Sequence, residues 1–332
     1  MQIPPGKILI IRFSSIGDIV LTTPVVRCLK LQVPELEIHY LTKKQFLPVL
    51  GANPYISKIW LYDHNFADLI PQLQSQGFDR VVDLHKNYRS IYVRRKIGAK
   101  SGTFFKLNLQ KWLIVNFKIN LLPPVHIVDR YMQAVSELGI RNDGQGLDYF
   151  ISEDEIIGPE KLPEPFRRGF IGIVIGGKHN TKIFPEKKVI EVIARLNLPV
   201  ILLGGKEDRD RGEHICSVAV SSVFNGCGYY SLNQSASLIR LADAVMTNDT
   251  GLMHIAAAFG KKIVSVWGNT LPEFGMFPYL REEEKKNSLI AEVKGLSCRP
   301  CSKLGYQVCT KKHFRCMMDT DTSPIVNFLN QK

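Results

Sequence analysis

No apolar run in this chain approaches the roughly 18 residues that a membrane-spanning helix needs. The N-terminus offers only Ile8 to Ile11 between Lys7 and Arg12, too short for the core of a secretory signal, so a cytoplasmic chain is expected. No G-x-G-x-x-G follows that first apolar stretch, which speaks against an NAD-dependent dehydrogenase. Acidic residues are in deficit: 31 Asp and Glu face 43 Lys and Arg, for a formal net charge of +12. That excess points to an anionic partner: a nucleotide, a phospholipid-like surface, a phosphorylated glycan or a nucleic acid. Cysteine is scarce and odd in number, with four of the seven in the last 35 residues. A reduced compartment with one local cysteine site fits this better than a disulfide scaffold.

What is present is a soluble composition, 45% apolar and 22% charged, over 332 residues, a length that predicts two domains. Short strands that are apolar throughout alternate with amphipathic helices in two successive rounds, as in parallel sheets covered on both faces. In the first round strands are predicted at Lys7–Phe13, Glu37–Thr42, Lys58–Tyr62 and Arg80–Leu84, with helices near Ile16–Leu31, Phe66–Gln76, Arg89–Ile97 and Ile127–Leu138. The second round places strands at Phe170–Ile175, Pro199–Leu203, Ser222–Phe224, Ala244–Thr247 and Lys262–Val266. The expected division is a first domain over 1–158, a proline-rich linker over 159–168, a second domain with a cysteine-rich tail over 169–318, and a terminal helix over 319–332. The expected fold is α/β, two Rossmann-like doubly wound domains facing across a cleft.

Two strand–turn–helix junctions carry the candidate chemistry. The first, Ser14-Ser15-Ile16-Gly17-Asp18, puts Asp18 in the first turn of a helix. It serves there either as a carboxylate at the positive helix end or as a general base. The second, Asn248-Asp249-Thr250-Gly251-Leu252-Met253-His254, opens a helix whose unpaired amides at Thr250 and Gly251 would cradle a diphosphate. His254 falls one turn further on, either facing the ligand or packed in the core. Two glycine loops follow other strands of this half: Gly176-Gly177-Lys178 leading to Lys182, and Gly204-Gly205-Lys206-Glu207-Asp208. Lys182 suits a phosphate and Glu207 a ribose hydroxyl. The D-x-D runs Asp208–Asp210 and Asp319–Asp321 are possible divalent-ion sites, but one should open a surface helix and the other lies in a tail.

These segments, with Thr181-Lys182-Ile183-Phe184-Pro185 between them, resemble bacterial glycosyltransferase family 9, the heptosyltransferases of lipopolysaccharide core synthesis. The resemblance implies a GT-B-type fold and inverting, metal-independent transfer from a nucleotide sugar, with ADP-heptose as donor. By position Asp18 matches the family's catalytic base and Lys182 its phosphate-binding lysine. Asp249 to Gly251 match its sugar- and diphosphate-binding turn, and Glu207 its ribose-binding acid. Where some members carry hydroxyl residues before the lysine, this chain has Gly177 and Lys178. The alternatives are transfer of another sugar to a different surface glycan, or a nucleotide- or glycolipid-binding protein that kept the fold without the reaction.

A basic stretch, His85-Lys86-Asn87-Tyr88-Arg89 running to Arg94 and Arg95, follows the strand at Arg80–Leu84. It reads either as a solvated helix face or, with Ser14, Ser15 and Gly17, as the binding surface for an anionic glycolipid acceptor. Arg94 and Arg95 would equally meet the anionic inner leaflet of a membrane. Tyr88 and Tyr92 interleave with the charge, but no recognised nucleic-acid module accompanies them, so nucleic acid is not expected. In the tail, Cys298, Cys301, Cys309 and Cys316 contain one tight pair and predict a possible structural zinc, with His313 as a spare ligand. No cofactor is expected for catalysis.

Overall fold

The protein is described by a computed structural model over residues 6–331. It divides into two compact units. The first runs to Lys106 and takes in Val125–Ser152; the second comprises Leu107–Pro124 and the chain from Glu153 onward.

Unit 1 is built on β1 (Lys7–Ile11), β2 (Glu37–Lys43), β3 (Lys58–Tyr62), β4 (Arg80–Asp83) and β5 (Lys100–Thr103), all parallel, in the order β3-β2-β1-β4-β5. The central strand is apolar because both its faces are covered, and Ile8 to Ile11 are all buried. Its register pairs Ile11 with Leu41 on one side and Asp83 on the other, so the chain leaves β1 and β4 side by side. Unit 2 carries β6 (Ile171–Val174), β7 (Val200–Leu203), β8 (Val223–Asn225), β9 (Ala244–Asn248), β10 (Lys262–Trp267) and β11 (Ser288–Glu292). They too are parallel, ordered β11-β10-β9-β6-β7-β8. In each unit the first strand lies centrally and the connection reverses direction beside it, between β1 and β4 and between β6 and β9. Ligands of doubly wound sheets bind at such switch points, outside the carboxyl ends of the strands. The two Rossmann-like domains expected from the sequence are present.

The differences from the sequence reading have local causes. The single helix expected over 16–31 is two, Ile16–Val20 and Thr23–Gln32. Pro24 has no N–H to give to Val20, and the hydroxyls of Thr22 and Thr23 donate instead to the carbonyls of Ile19 (2.6 Å) and Val20 (2.8 Å). The span 159–168 forms short 3₁₀ turns that sink Leu162 and Phe166 into unit 2, so it is anchored chain rather than a free linker. The terminal helix Ser323–Asn330 buries Ile325, Val326 and Leu329 in the main core of the same unit. Strand β5 was not foreseen: Lys-Ser-Gly-Thr has no apolar signature. Its Gly102 is required because a Cβ there would stand 1.8 Å from the Ala134 carbonyl oxygen.

Candidate functional site

At the unit 1 switch point, Asp18 sits in the first turn of the helix Ile16–Val20, directly beyond β1. Its Oδ2 accepts the Ser15 backbone N–H (3.2 Å) and hydroxyl (2.7 Å). Its Oδ1 meets Arg12 Nη2 at 2.5 Å. Arg12 is the residue that sequence reasoning missed. It ends the apolar strand and is buried, donating also to the carbonyls of Ser14 (2.7 Å) and Leu84 (2.5 Å) and to the Tyr131 hydroxyl (2.9 Å). Burial alone would lower the pKa of the guanidinium, but Asp18, Tyr131 and Tyr40 outweigh it and raise it above its ordinary value. Arg12 is therefore a fixed cation tying the loops after β1 and β4 together, and it holds the carboxylate in one rotamer.

The loop after β4 begins with Asp83 Oδ1 accepting the backbone N–H groups of His85 (3.0 Å) and Lys86 (2.7 Å). His85 packs edge-on to Phe13, and burial, with Arg12, Lys106 and Lys43 nearby, pushes its pKa down to about 3. It is therefore neutral at physiological pH. Asn87 caps the helix Tyr88–Ile97 through Ser90 N–H (3.0 Å), and Arg89 stacks over the Tyr88 ring at 4.7 Å. Arg94 and Arg95 lie in the last turn of that helix, about 10 Å along its axis from Asn87, where they complement the carbonyl end. The structure thus gathers Ser15, Gly17, Asp18 and His85 with Arg12 but leaves Arg94 and Arg95 at the far end.

At the unit 2 switch point Lys182 Nζ meets Asp249 Oδ2 at 2.5 Å, and Thr270, beyond β10, donates its hydroxyl to the same oxygen at 3.1 Å. Asn248 fixes the loops relative to each other. Its amide donates to Val174 and Gly176 carbonyls (both 3.2 Å) and its carbonyl accepts Phe184 N–H (3.0 Å). Gly177 lies against Thr250, whose extended backbone caps the helix Gly251–Ala258. Burial, then Lys182 and Lys178, depress the His179 pKa, the signature of a locally positive loop. His254, in the helix Gly251–Ala258, is buried.

In the next loop Glu207 is exposed, whereas Asp208 is buried and accepts Gly205 N–H at 2.9 Å. A Cβ on Gly176 would fall 2.2 Å from the Asp208 carboxylate, so that glycine makes room for the acid. Asp208 is an internal brace, not half of a surface metal pair with the exposed Asp210. Asp319 and Asp321 serve locally as partner of Arg315 (2.7 Å) and acceptor of Ser323 N–H (2.9 Å).

The cysteine tail docks on this unit: Tyr306 exchanges hydrogen bonds with the Thr181 hydroxyl beside Lys182. Among the described residues no group of three or more His, Cys, Asp or Glu is placed to hold a metal ion. Cys316 is buried in the apolar core, and burial followed by Cys301 pushes its thiol up to about 12. Burial and Cys298 take Cys301 to about 11. Cys298 Sγ stands 3.9 Å from His313 Nε2.

The exposures within the two ion pairs run in opposite senses. In unit 1 the acid's side chain is the more exposed partner (Asp18 23%, Arg12 10%), and in unit 2 the lysine's is (Lys182 18%, Asp249 11%).

Residues 66–303 match glycosyltransferase family 9 (heptosyltransferase). The chain is 24% identical to lipopolysaccharide heptosyltransferase 2 of Escherichia coli K12, across 81% of this chain and 84% of that protein. It is 27% identical to lipooligosaccharide heptosyltransferase 2 of Haemophilus ducreyi, across 81% and 85%. Its fold is shared with the E. coli ADP-heptose lps heptosyltransferase II structure (TM-score 0.73, 21% identity, 98% and 97% covered). It is shared too with a glycosyl transferase family 9 structure from Veillonella parvula (TM-score 0.69, 23% identity, 87% and 88% covered). These are GT-B-type structures. With its two doubly wound sheets and this match over most of its length, the chain belongs to glycosyltransferase family 9 and is a glycosyltransferase.

Proposed function

We propose that this enzyme transfers a heptose from a nucleotide-diphosphate sugar, ADP-heptose, to a hydroxyl of a lipopolysaccharide-core-type acceptor, by direct displacement with inversion and without a catalytic metal. The observation that carries the reading is the reversed exposure of the two ion pairs. Asp18 takes the acceptor proton as the oxygen attacks the anomeric carbon opposite the diphosphate. The Ser15 hydroxyl, on a rotatable bond, is the donor that the acceptor hydroxyl replaces at Oδ2. Arg12 is a positioning residue throughout.

As the sugar–phosphate bond breaks, negative charge grows on the leaving oxygen. Lys182, Lys178 and the amides of Thr250 and Gly251 meet it in a fixed arrangement, which costs no reorganisation during the step. Asp249 steers Lys182 and in turn is held by Thr270. Glu207, exposed in its loop, is assigned to the ribose, and His85, Asn87 and Arg89 to the anionic glycolipid acceptor. No helix among the described residues is long and apolar enough to cross a membrane. The enzyme is proposed to work in the cytoplasm as a peripheral protein at the inner membrane surface, where such an acceptor is presented.

A panel of nucleotide sugars tested for thermal stabilisation checks the donor. A true donor at 100 times its Kd adds about 2.7 kcal/mol. ADP-heptose is expected to stabilise the protein and to be consumed when a heptose-deficient lipopolysaccharide core is added. Stabilisation by another nucleotide sugar alone would replace the donor. No stabilisation by any of them would remove the reading.

A further inference from the structure

The segment Leu107–Pro124 interrupts unit 1 in sequence yet belongs to unit 2. Its helix, Asn108–Phe117, is inside out. Lys111 is buried with its ammonium 5.5 Å from the Phe274 ring, while Leu109, Trp112 and Phe117 are 65%, 52% and 58% exposed. A helix on a water-facing surface distributes these residue types the other way round. The exposed apolar surface continues through Ile119 and Leu121, and the Trp112 and Phe117 rings touch at 5.2 Å. Both ends of the helix are tied to the cysteine tail: Lys303 donates to Asn108 Oδ1 (2.9 Å) and Lys118 to the Pro300 carbonyl (2.6 Å). That tail adds exposed Leu304 and Val308. The helix is thus joined to the rest of unit 2 at both ends.

Its charge identifies what covers it. No Asp or Glu occurs between Asp83 and Asp129, nor between Glu292 and Asp319. Exposed Lys118, Lys303, Lys311 and Lys312 belong to the same two segments. Two chain segments that carry aromatic and aliphatic side chains with lysines and no acids match the acyl–headgroup boundary of an anionic bilayer. A second copy fits less well, because a two-fold contact would set like-charged lysines against each other.

We propose that helix Asn108–Phe117 and the chain to Leu121 insert into the headgroup boundary of an anionic membrane, anchoring unit 2. The inference deepens the peripheral localisation proposed above. It moves the membrane contact from the expected Arg94 and Arg95 to an apolar face that periodicity alone did not reveal.

The full chain reports on itself. Of its three tryptophans, Trp60 and Trp267 are buried and only Trp112 is exposed. Vesicles of phosphatidylethanolamine with phosphatidylglycerol are expected to shift the tryptophan emission to the blue. Trp112→Phe should abolish that shift. The triple variant Leu109→Ser, Trp112→Ser, Phe117→Ser should co-sediment with these vesicles about tenfold less or weaker still. Its melting temperature should stay near that of the parent, since the removed groups are exposed. An unshifted emission maximum, undiminished sedimentation of the triple variant, or a blue shift that appears without lipid as protein concentration rises would each overturn the proposal, the last by assigning the face to self-association. No substrate enters these measurements, so a failure of heptosyl transfer and a failure of membrane docking are read separately.

Discussion

Beyond β1 an acid is paired with a less exposed arginine; beyond β9 an acid is paired with a more exposed lysine. The sheets under them share one topology, and each pair occupies the switch point of its own sheet. The difference lies in which partner the fold buries. Unit 1 surrounds Arg12 with Tyr131 and the carbonyls of Ser14 and Leu84, so the cation is consumed internally and the carboxylate is presented. Unit 2 holds Asp249 between Thr270 and Lys182, and the lysine is the more exposed partner. On one topology, the choice of buried partner leaves an acid the more exposed in one unit and a lysine the more exposed in the other.

The comparison breaks most sharply at Asp18. Asp18→Asn keeps a side chain of the same shape and is expected to lower turnover about 10²–10⁴-fold while donor-dependent thermal stabilisation stays near that of the parent. Equal loss of both would mean that Asp18 belongs to the donor site. Lys182→Met acts on the other side: turnover should fall about 10²–10³-fold and donor stabilisation should shrink with it, because Asp249 is left facing the phosphates. Unchanged donor affinity in that variant would place the phosphates elsewhere.

Smaller effects sharpen the account of how the sites are held. Asn248→Ala strands the Phe184 N–H and two carbonyls around a buried position, and should cost about 1–3 kcal/mol in a denaturant titration. At the unit 1 site the smallest effect is one of pH. His85 is held at about 3 against an ordinary 6.5 by burial and nearby cations. Between those values the unfolded chain binds a proton that the folded chain refuses, so the stability from neutral His85 is complete above pH 6.5 and lost as pH falls through this window. His85→Gln is expected to flatten the acid side of the melting-temperature profile there. An unaltered profile would mean that other groups set it.

The strands were legible because burial on both faces leaves an unbroken apolar run, as at Ile8–Ile11 and Val200–Leu203. The edge strand Lys100–Thr103 was not, since pairing along one side needs backbone only. Asp18, Lys182 and Asp249 could be found as polar residues just beyond apolar strands. Their partners could not. Arg12 offered one signal, a charge directly abutting a buried strand, but its contacts to Leu84 and Tyr131 span 72 and 119 residues of sequence. Asp208 resembled a surface helix start until the close approach of Gly176 enclosed it. The allegiance of Leu107–Pro124 depends on the distant tail that holds it, so position in the chain pointed to the wrong domain.

The most direct test is the configuration of the product formed from ADP-heptose and a lipopolysaccharide-core acceptor in excess chelator, read by NMR at the anomeric carbon of the new bond. Inversion relative to the donor, at a rate the chelator leaves unchanged, is the expected result. Retention of configuration, or turnover that stops until a divalent ion is restored, would contradict a single displacement driven by Asp18 and Lys182.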